Sequence, residues 1–450
     1  MSNADKFKEM RKGLGLAQAI AEADRCLLCH DAPCSEGCPA DTQPGEFIRK
    51  LRFKNITGAI RTIKQNNILG GACGVLCPTH GLCEEKCSAM FKSQNRPEGA
   101  DKPIQIGMIQ RFLVEHAWER GFKVFEKAEP RGKKVAVVGS GPSGSSCAAE
   151  LAKDGYAVTV FEARPEPGGV LRYGVVSYRF DMNFLEHEME DIKAMGVEFQ
   201  CNSPIQGKEG AEKLLKEGFD AVFLGPGLWA AATIKADGNE IDGLFSSVDY
   251  LSALRDGRFE DMGKRIKGKT VAVIGGGSVA MDCIESAARL DAKDVYLVYR
   301  RSFTQMPAEP DERIEAQAAG IHFLLLNQPV DYISDDQNRL TGVKLVRTRL
   351  GEPDASGRRR PEAIEDSEWV LDADVVVEAI GNIAPADSPQ WYPNVEVDDH
   401  RLIKINPDTG QTSVEGIFAG GDIVSGPALV VTAVQDGKVA AREIKKFLEK

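Results

Sequence analysis

Eight of the eleven cysteines fall between residues 26 and 87. The first four run Cys26-x2-Cys29-x4-Cys34-x3-Cys38-Pro39; the second four run Cys73-x3-Cys77-Pro78 and then Cys83-x3-Cys87. Short-spaced thiolates closed by Cys-Pro suit iron–sulfur clusters, because soft ligands from a compact loop must converge on a cube. Two other chemistries use cysteine at this density. Zinc sites favour paired C-x2-C knuckles, and only Cys26 and Cys29 have that spacing. Disulfide scaffolds suit short secreted chains, whereas this one has 450 residues and a polar, charged start without an apolar export segment. Clusters are the expectation.

Next come two glycine loops. Gly139-Ser140-Gly141-Pro142-Ser143-Gly144 follows the apolar run Val135–Val138, and Glu162 ends the next strand about 20 residues on. That spacing is the dinucleotide fingerprint: Gly139 permits the tight turn, Gly141 lets a pyrophosphate approach the backbone, and Gly144 lets helix and strand pack closely. Glu162 would accept a hydrogen bond from a ribose hydroxyl. Gly169 and Leu171 lie just beyond, and Gly421-Asp422 follows a second apolar strand near the end of the chain. Asp422 could bond a ribityl chain, with the helix after it aiming its N-terminus at an isoalloxazine. Together these make FAD the first nucleotide.

The second loop, Gly275-Gly276-Gly277-Ser278-Val279-Ala280, differs where it is informative. In place of an acid after the next strand stand Arg300 and Arg301. Two guanidiniums suit a 2′-phosphate, so NADPH is expected rather than NADH. Past residue 87 only Cys147, Cys201 and Cys283 remain, too widely spaced for the redox dithiol of a disulfide reductase. The six histidines form no metal-binding spacing. Electrons reaching the flavin must therefore leave by another route, and the chain reads as an electron conduit.

The elements that must position these groups follow from the pattern. Residues 15 to 125 look mostly helical, with a cap at Asp41-Thr42, Pro44 in a first turn and another cap at Thr57. Residues 91–103 read as a loop and 124–132 as a linker. From Lys133 the alternation becomes strand–helix–strand, which argues for parallel sheets. The expected fold is α/β with an N-terminal all-α iron–sulfur domain and two Rossmann-like domains, the second inserted in the first. Its boundaries are 1–127 for the cluster domain, 128–232 and 383–450 for the flavin domain, and 233–382 for the NADPH domain. A net charge of −11 argues against nucleic acid. No apolar run approaches a membrane span, and a cytoplasmic protein is expected. Residues 1–130 carry a net +3 and the remainder −14; that surplus base either neutralises anionic clusters or faces an acidic partner.

The cysteine loops, Gly139-x-Gly141-x-x-Gly144, the Gly275 loop, Tyr299-Arg300-Arg301 and Gly421-Asp422 together resemble the glutamate synthase small-subunit superfamily, over about Ala23 to Lys446. Within it, the segment Ile104–Phe112 looks most like the dihydropyrimidine dehydrogenase branch, in which a glutamine replaces one cysteine as cluster ligand. The resemblance implies one [4Fe–4S] cluster on Cys26, Cys29, Cys34 and Cys87. It implies another on Cys38, Cys77, Cys83 and Gln110, leaving Cys73 spare. It further implies a hydride passing from NADPH to FAD, then single electrons to the two clusters, with no side chain acting as acid or base. In this family pyrimidine is reduced in an FMN barrel with ferredoxin-like clusters, which needs a couple of hundred more residues. The implied partner is therefore such a subunit, in a hetero-oligomer that reduces uracil or thymine. The alternatives are the small subunit of glutamate synthase, that of another, possibly bifurcating, reductase, and, from another class, a redox sensor. One stretch departs from the family: Gly174-Val175-Val176-Ser177-Tyr178-Arg179-Phe180-Asp181 stands where a Gly-Ile-Pro run is usual, beside the expected flavin site.

Overall fold

The computed structural model describes residues 2–9, 12–90, 102–206, 209–234, 241–353 and 359–450. They divide into two compact units. Residues within 9–172, 179–228 and 384–450 form one, and residues within 2–8, 173–178 and 229–383 form the other. Most of the loop expected at 91–103 lies outside the described residues.

The first unit begins with helices Leu16–Asp24, Pro44–Arg52, Ile56–Asn66, Gly70–Leu76 and Ile106–Glu119. Pro44 opens its helix with a preset φ, after Gln43 in the left-handed region at φ 63°. Phe47, Ile48 and Leu51 then bury one face almost completely, roughly 1.5–3 kcal/mol each. The next helix is capped by Asn55, whose Oδ1 accepts from Gly58 N at 2.9 Å, and not by the expected Thr57, which lies inside the first turn.

Beyond Lys133 comes a five-stranded parallel sheet. Its order is Ile417–Ala419, Ala221–Leu224, Lys134–Val138, Ala157–Phe161, Glu198–Gln200. Helix Pro142–Ala152 packs on helix Val430–Leu448 at backbone distance: a Cβ at Gly437 would run into Ser143 O and Cys147 N.

The second unit has its own parallel sheet, ordered Leu244–Ser246, Val375–Glu378, Thr270–Ile274, Asp294–Tyr299, His322–Leu325. An antiparallel array built on Asn327–Ser334 and Leu340–Pro353 follows. The chain enters and leaves this unit through a paired two-strand ribbon, Ala230–Ala231 with Asn382–Ile383. Two short pieces from elsewhere complete its core. Phe7, only 2% exposed, packs on Phe259 and Tyr178 with ring centroids 4.8 and 5.8 Å away. Tyr178 donates from its hydroxyl to Asp282 O at 3.1 Å. The unusual stretch after Tyr173 thus spends residues 173–178 in the second unit's core. No helix among the described residues is long and apolar enough to cross a membrane.

Candidate functional site

Four thiols, those of Cys26, Cys29, Cys34 and Cys87, line one cavity with Leu27, Leu28, Ile48, Ile104 and Ile106. The loop winds tightly to present them: Leu28 and Ala32 adopt positive φ, 54° and 41°, strain that a loop tolerates when its surroundings fix it. Ile104 N donates to Cys87 Sγ at 3.4 Å. Burial, with Cys87 and Cys26 adding like charge, pushes the Cys34 thiol up to about 12. Burial likewise raises Cys26. Bare thiolates are disfavoured here, so a cationic metal centre would release these protons as it binds. No three His, Cys, Asp or Glu side chains among the described residues converge on a single-ion point. Four sulfurs around a hollow suit a cube better than one tetrahedral zinc.

The second thiol group is Cys38, Cys73, Cys77 and Cys83. Cys77 hydrogen-bonds with Cys73, which together with burial raises its thiol well above the ordinary range; Cys83 and Cys38 lie close enough to add to that. Thr42 N donates to Cys38 Sγ at 3.4 Å, and the Thr42 hydroxyl lies 3.3 Å from the same sulfur. Asn67 Nδ2 donates to Thr42 Oγ1 at 3.1 Å and to Cys73 Sγ at 3.3 Å. Gln110 is buried on helix Ile106–Glu119 and donates one of its two amide N–H groups to Gly70 O at 2.6 Å, a bond that does not use its carbonyl oxygen. Cys73 bonds Cys77 directly, and Gln110 reaches the helix that carries Cys73.

The flavin-type cradle forms around the N-terminus of helix Pro142–Ala152. Gly139, at φ 92°, passes so close to Gly225 O that a Cβ would collide with it. A Cβ at Gly144 would strike Gly139 O, one at Gly169 would strike Gly141 Cα, and one at Gly421 would strike the Ser143 side chain. The cradle is therefore mostly backbone, with the Ser143 side chain beside Gly421, and the N–H groups of the helix's first turn can face a pyrophosphate. Glu162 is held ready at the strand end: Ser140 N donates to its Oε2 at 3.0 Å and Arg164 N to its Oε1 at 2.9 Å. Pro142 takes the first helical position, and Leu171 is buried behind Gly169. Gly421 N donates to Asp436 Oδ2 at 2.9 Å, fixing the turn that carries Asp422. Burial, with a smaller contribution from Asp436, lifts the Asp422 carboxyl to about 6. These residues fit a dinucleotide with a ribityl chain.

In the second unit, Gly277 caps helix Ser278–Arg289 in extended conformation, and Gly275, at φ 144°, abuts Ala379 O. A side chain at Gly276 would meet the Tyr299 ring. Ala280 is buried beneath Gly275 and serves as the close-packing residue, while Val279 is exposed. The two arginines differ. Arg300 is exposed, whereas Arg301 is 6% exposed and its Nε has no partner. An orphaned buried guanidinium nitrogen fits an incoming anion such as a 2′-phosphate.

Thr42, expected only as part of a cap at Asp41-Thr42, lies in the loop before helix Pro44–Arg52 and bonds the Cys38 sulfur. Two further polar groups were not singled out: Asn67, just past the end of helix Ile56–Asn66, and Lys438. Lys438 follows Val431 and Val434 and precedes Ala441 on the buried stripe of helix Val430–Leu448, and a lysine at that period was the available signal. Its ammonium donates to Ala40 O at 2.6 Å and Asn66 O at 2.7 Å.

The comparisons with known proteins agree with this layout. Residues 3–122 match the family model described as dihydropyrimidine dehydrogenase domain II, 4Fe-4S cluster, and residues 133–437 match pyridine nucleotide-disulphide oxidoreductase. The chain is 35% identical to the Escherichia coli glutamate synthase [NADPH] small chain, over 99% of this chain and 94% of that one. It is 33% identical to the NAD-dependent dihydropyrimidine dehydrogenase subunit PreT of Salmonella typhimurium, over 100% and 99%. It is 37% identical to the beta subunit of an NADP(+)-dependent formate dehydrogenase from Moorella thermoacetica, of which it spans 60%. In fold it is similar to Mycobacterium tuberculosis FprA, with a TM-score of 0.60 at 20% identity over 71% of this chain and 85% of that one.

Proposed function

Because the chain belongs to the pyridine nucleotide-disulphide oxidoreductase family and carries an N-terminal dihydropyrimidine dehydrogenase-type 4Fe-4S module, we propose that it is the NADPH-oxidising electron-input subunit of a dihydropyrimidine dehydrogenase-like complex. Pyridine nucleotide, flavin and clusters supply hydride and one-electron chemistry when bound; the chain's residues hold and orient them. Arg301, with Arg300 beside it, would take the 2′-phosphate and the Gly275 loop the pyrophosphate. Gly139, Gly141, Ser143, Gly144, Glu162 and Asp422 would hold FAD. Cys26, Cys29, Cys34 and Cys87 would hold one cluster, and Cys38, Cys77, Cys83 and Gln110 the other.

The observation that carries the reading is that both thiol groups and the flavin cradle belong to one compact unit. Electrons leaving a flavin there have sulfur-lined sites within the same body and no dithiol to reduce. Gln110, buried and anchored through Nε2 to Gly70 O in the helix that carries Cys73, supports the dihydropyrimidine branch. Replacing Cys73 with serine is expected to leave both clusters' iron in place, whereas Gln110→Ala is expected to lose one cluster. Iron analysis and electron paramagnetic resonance of anaerobically purified variants distinguish the two, and loss of a cluster in Cys73→Ser would overturn the ligand set.

A second reading is the small subunit of glutamate synthase or of another NADPH-linked reductase; the identities to the Escherichia coli and Moorella relatives favour it. Anaerobic affinity purification from native cells, with mass spectrometry of what accompanies the chain, separates the two. An FMN barrel protein with ferredoxin-like clusters, and uracil reduced at the expense of NADPH, is the expected result. A glutamate synthase large chain or an unrelated reductase would overturn the pyrimidine assignment.

A further inference from the structure

The Lys438 ammonium joins the flavin-side helix to the loop carrying Cys38. Asp436, two residues earlier, holds the Gly421 turn of the flavin cradle, and Lys438 leaves the same helix in another direction. Its two acceptors are not neighbours in sequence. Ala40 O follows Cys38-Pro39, and Asn66 O lies at the end of helix Ile56–Asn66, next to Asn67, which bonds both Thr42 and Cys73. Burial disfavours the Lys438 ammonium, and Cys38 is the smallest of the charges that favour it. Other charges around it are Glu150, Asp41 and Lys153, and Glu150 is already paired with Lys153 at 2.5 Å. The Cys26 cavity is walled largely by apolar side chains, with the Arg52 guanidinium donating to Cys26 O.

A cluster gains negative charge on reduction. A fixed positive charge and hydrogen bonds to its sulfurs favour the reduced form, and an apolar wall does not. Building on the proposed ligand set, we propose that Lys438 is a positioning and electrostatic residue for the cluster at Cys38. Its ammonium ties the cluster loop to the flavin-side helix and raises that cluster's reduction potential. Helix capping alone would need only the bond to Asn66 O.

The test uses the full-length chain purified anaerobically, with redox titrations followed by electron paramagnetic resonance. The signal is assigned by its loss in Cys38→Ser. In Lys438→Gln, whose amide can still donate two hydrogen bonds without charge, the one-electron equilibrium of that cluster is expected to shift at least tenfold toward oxidised, about 59 mV. The other cluster should stay unmoved, and Lys438→Arg should restore the wild-type value. An unchanged potential in Lys438→Gln at full iron and flavin content would overturn the proposal. So would loss of the cluster in both variants, which would make the residue purely a scaffold. Cys38→Ser retaining both signals would instead overturn the ligand set on which the inference rests.

Discussion

Asp422 shows how burial sets a carboxylate's behaviour. Its folded value, about 6, lies above the ordinary 3.8, so the folded protein binds this proton more tightly than the unfolded chain. Protonation therefore stabilises the flavin-free fold by up to about 3 kcal/mol, fully below pH 4 and fading as pH rises through 6. Urea melts of flavin-stripped protein should show wild type gaining on Asp422→Asn as pH falls from 7 to 4. A gap independent of pH would mean that the carboxyl is hydrated. In the second unit the arginines are expected to separate. Arg301→Ala should raise the NADPH dissociation constant ten- to a hundredfold, matching the loss of a charged hydrogen bond, with little effect on NADH. Arg300→Ala, at an exposed position, should do less. Titration of each variant with both nucleotides is the measurement.

Among the elements, the crossing of helices Pro142–Ala152 and Val430–Leu448 is the tightest. Gly437→Ala places a methyl against Ser143 O and Cys147 N, backbone atoms with little room to yield. The expected cost is ~1–3 kcal/mol, seen as a lowered melting temperature together with reduced flavin content, because Ser143 belongs to the cradle. Helix Gly70–Leu76, which carries Cys73, is held from another direction: Gly71 N and Ala72 N donate to the buried Glu188 at 2.5 and 3.2 Å. The glycine loops and the strands before them were legible, because a short apolar run, glycines at fixed offsets and a terminal acid are local signals. The cysteine loops were legible for the same reason. Glu188, Lys438 and the cap at Asn55 were not. The first two act across 117 and roughly 400 residues of chain, and the third has a second, weaker capper, Thr57, two positions on.

At the scale of the whole molecule, the chain passes between its two units five times, after residues 8, 172, 178, 228 and 383. Inserted-domain topology was readable from the order of the two fingerprints, but the pieces 2–8 and 173–178 were not, since neither is long enough to show a period. Phe7→Ala is expected to cost ~3–5 kcal/mol by emptying a site against Tyr178 and Phe259. Differential scanning calorimetry should show this as a selective downward shift of one transition, that of the NADPH-type unit. A uniform shift of all transitions would mean that the units melt together. The same burial has a consequence during synthesis. The surface that receives Phe7 includes Phe259, so about 250 codons must be read before that side chain can leave water. At 5–20 residues per second that is roughly 10–50 s on the ribosome, during which the Phe7 ring stays in water, an opening for early-binding chaperones.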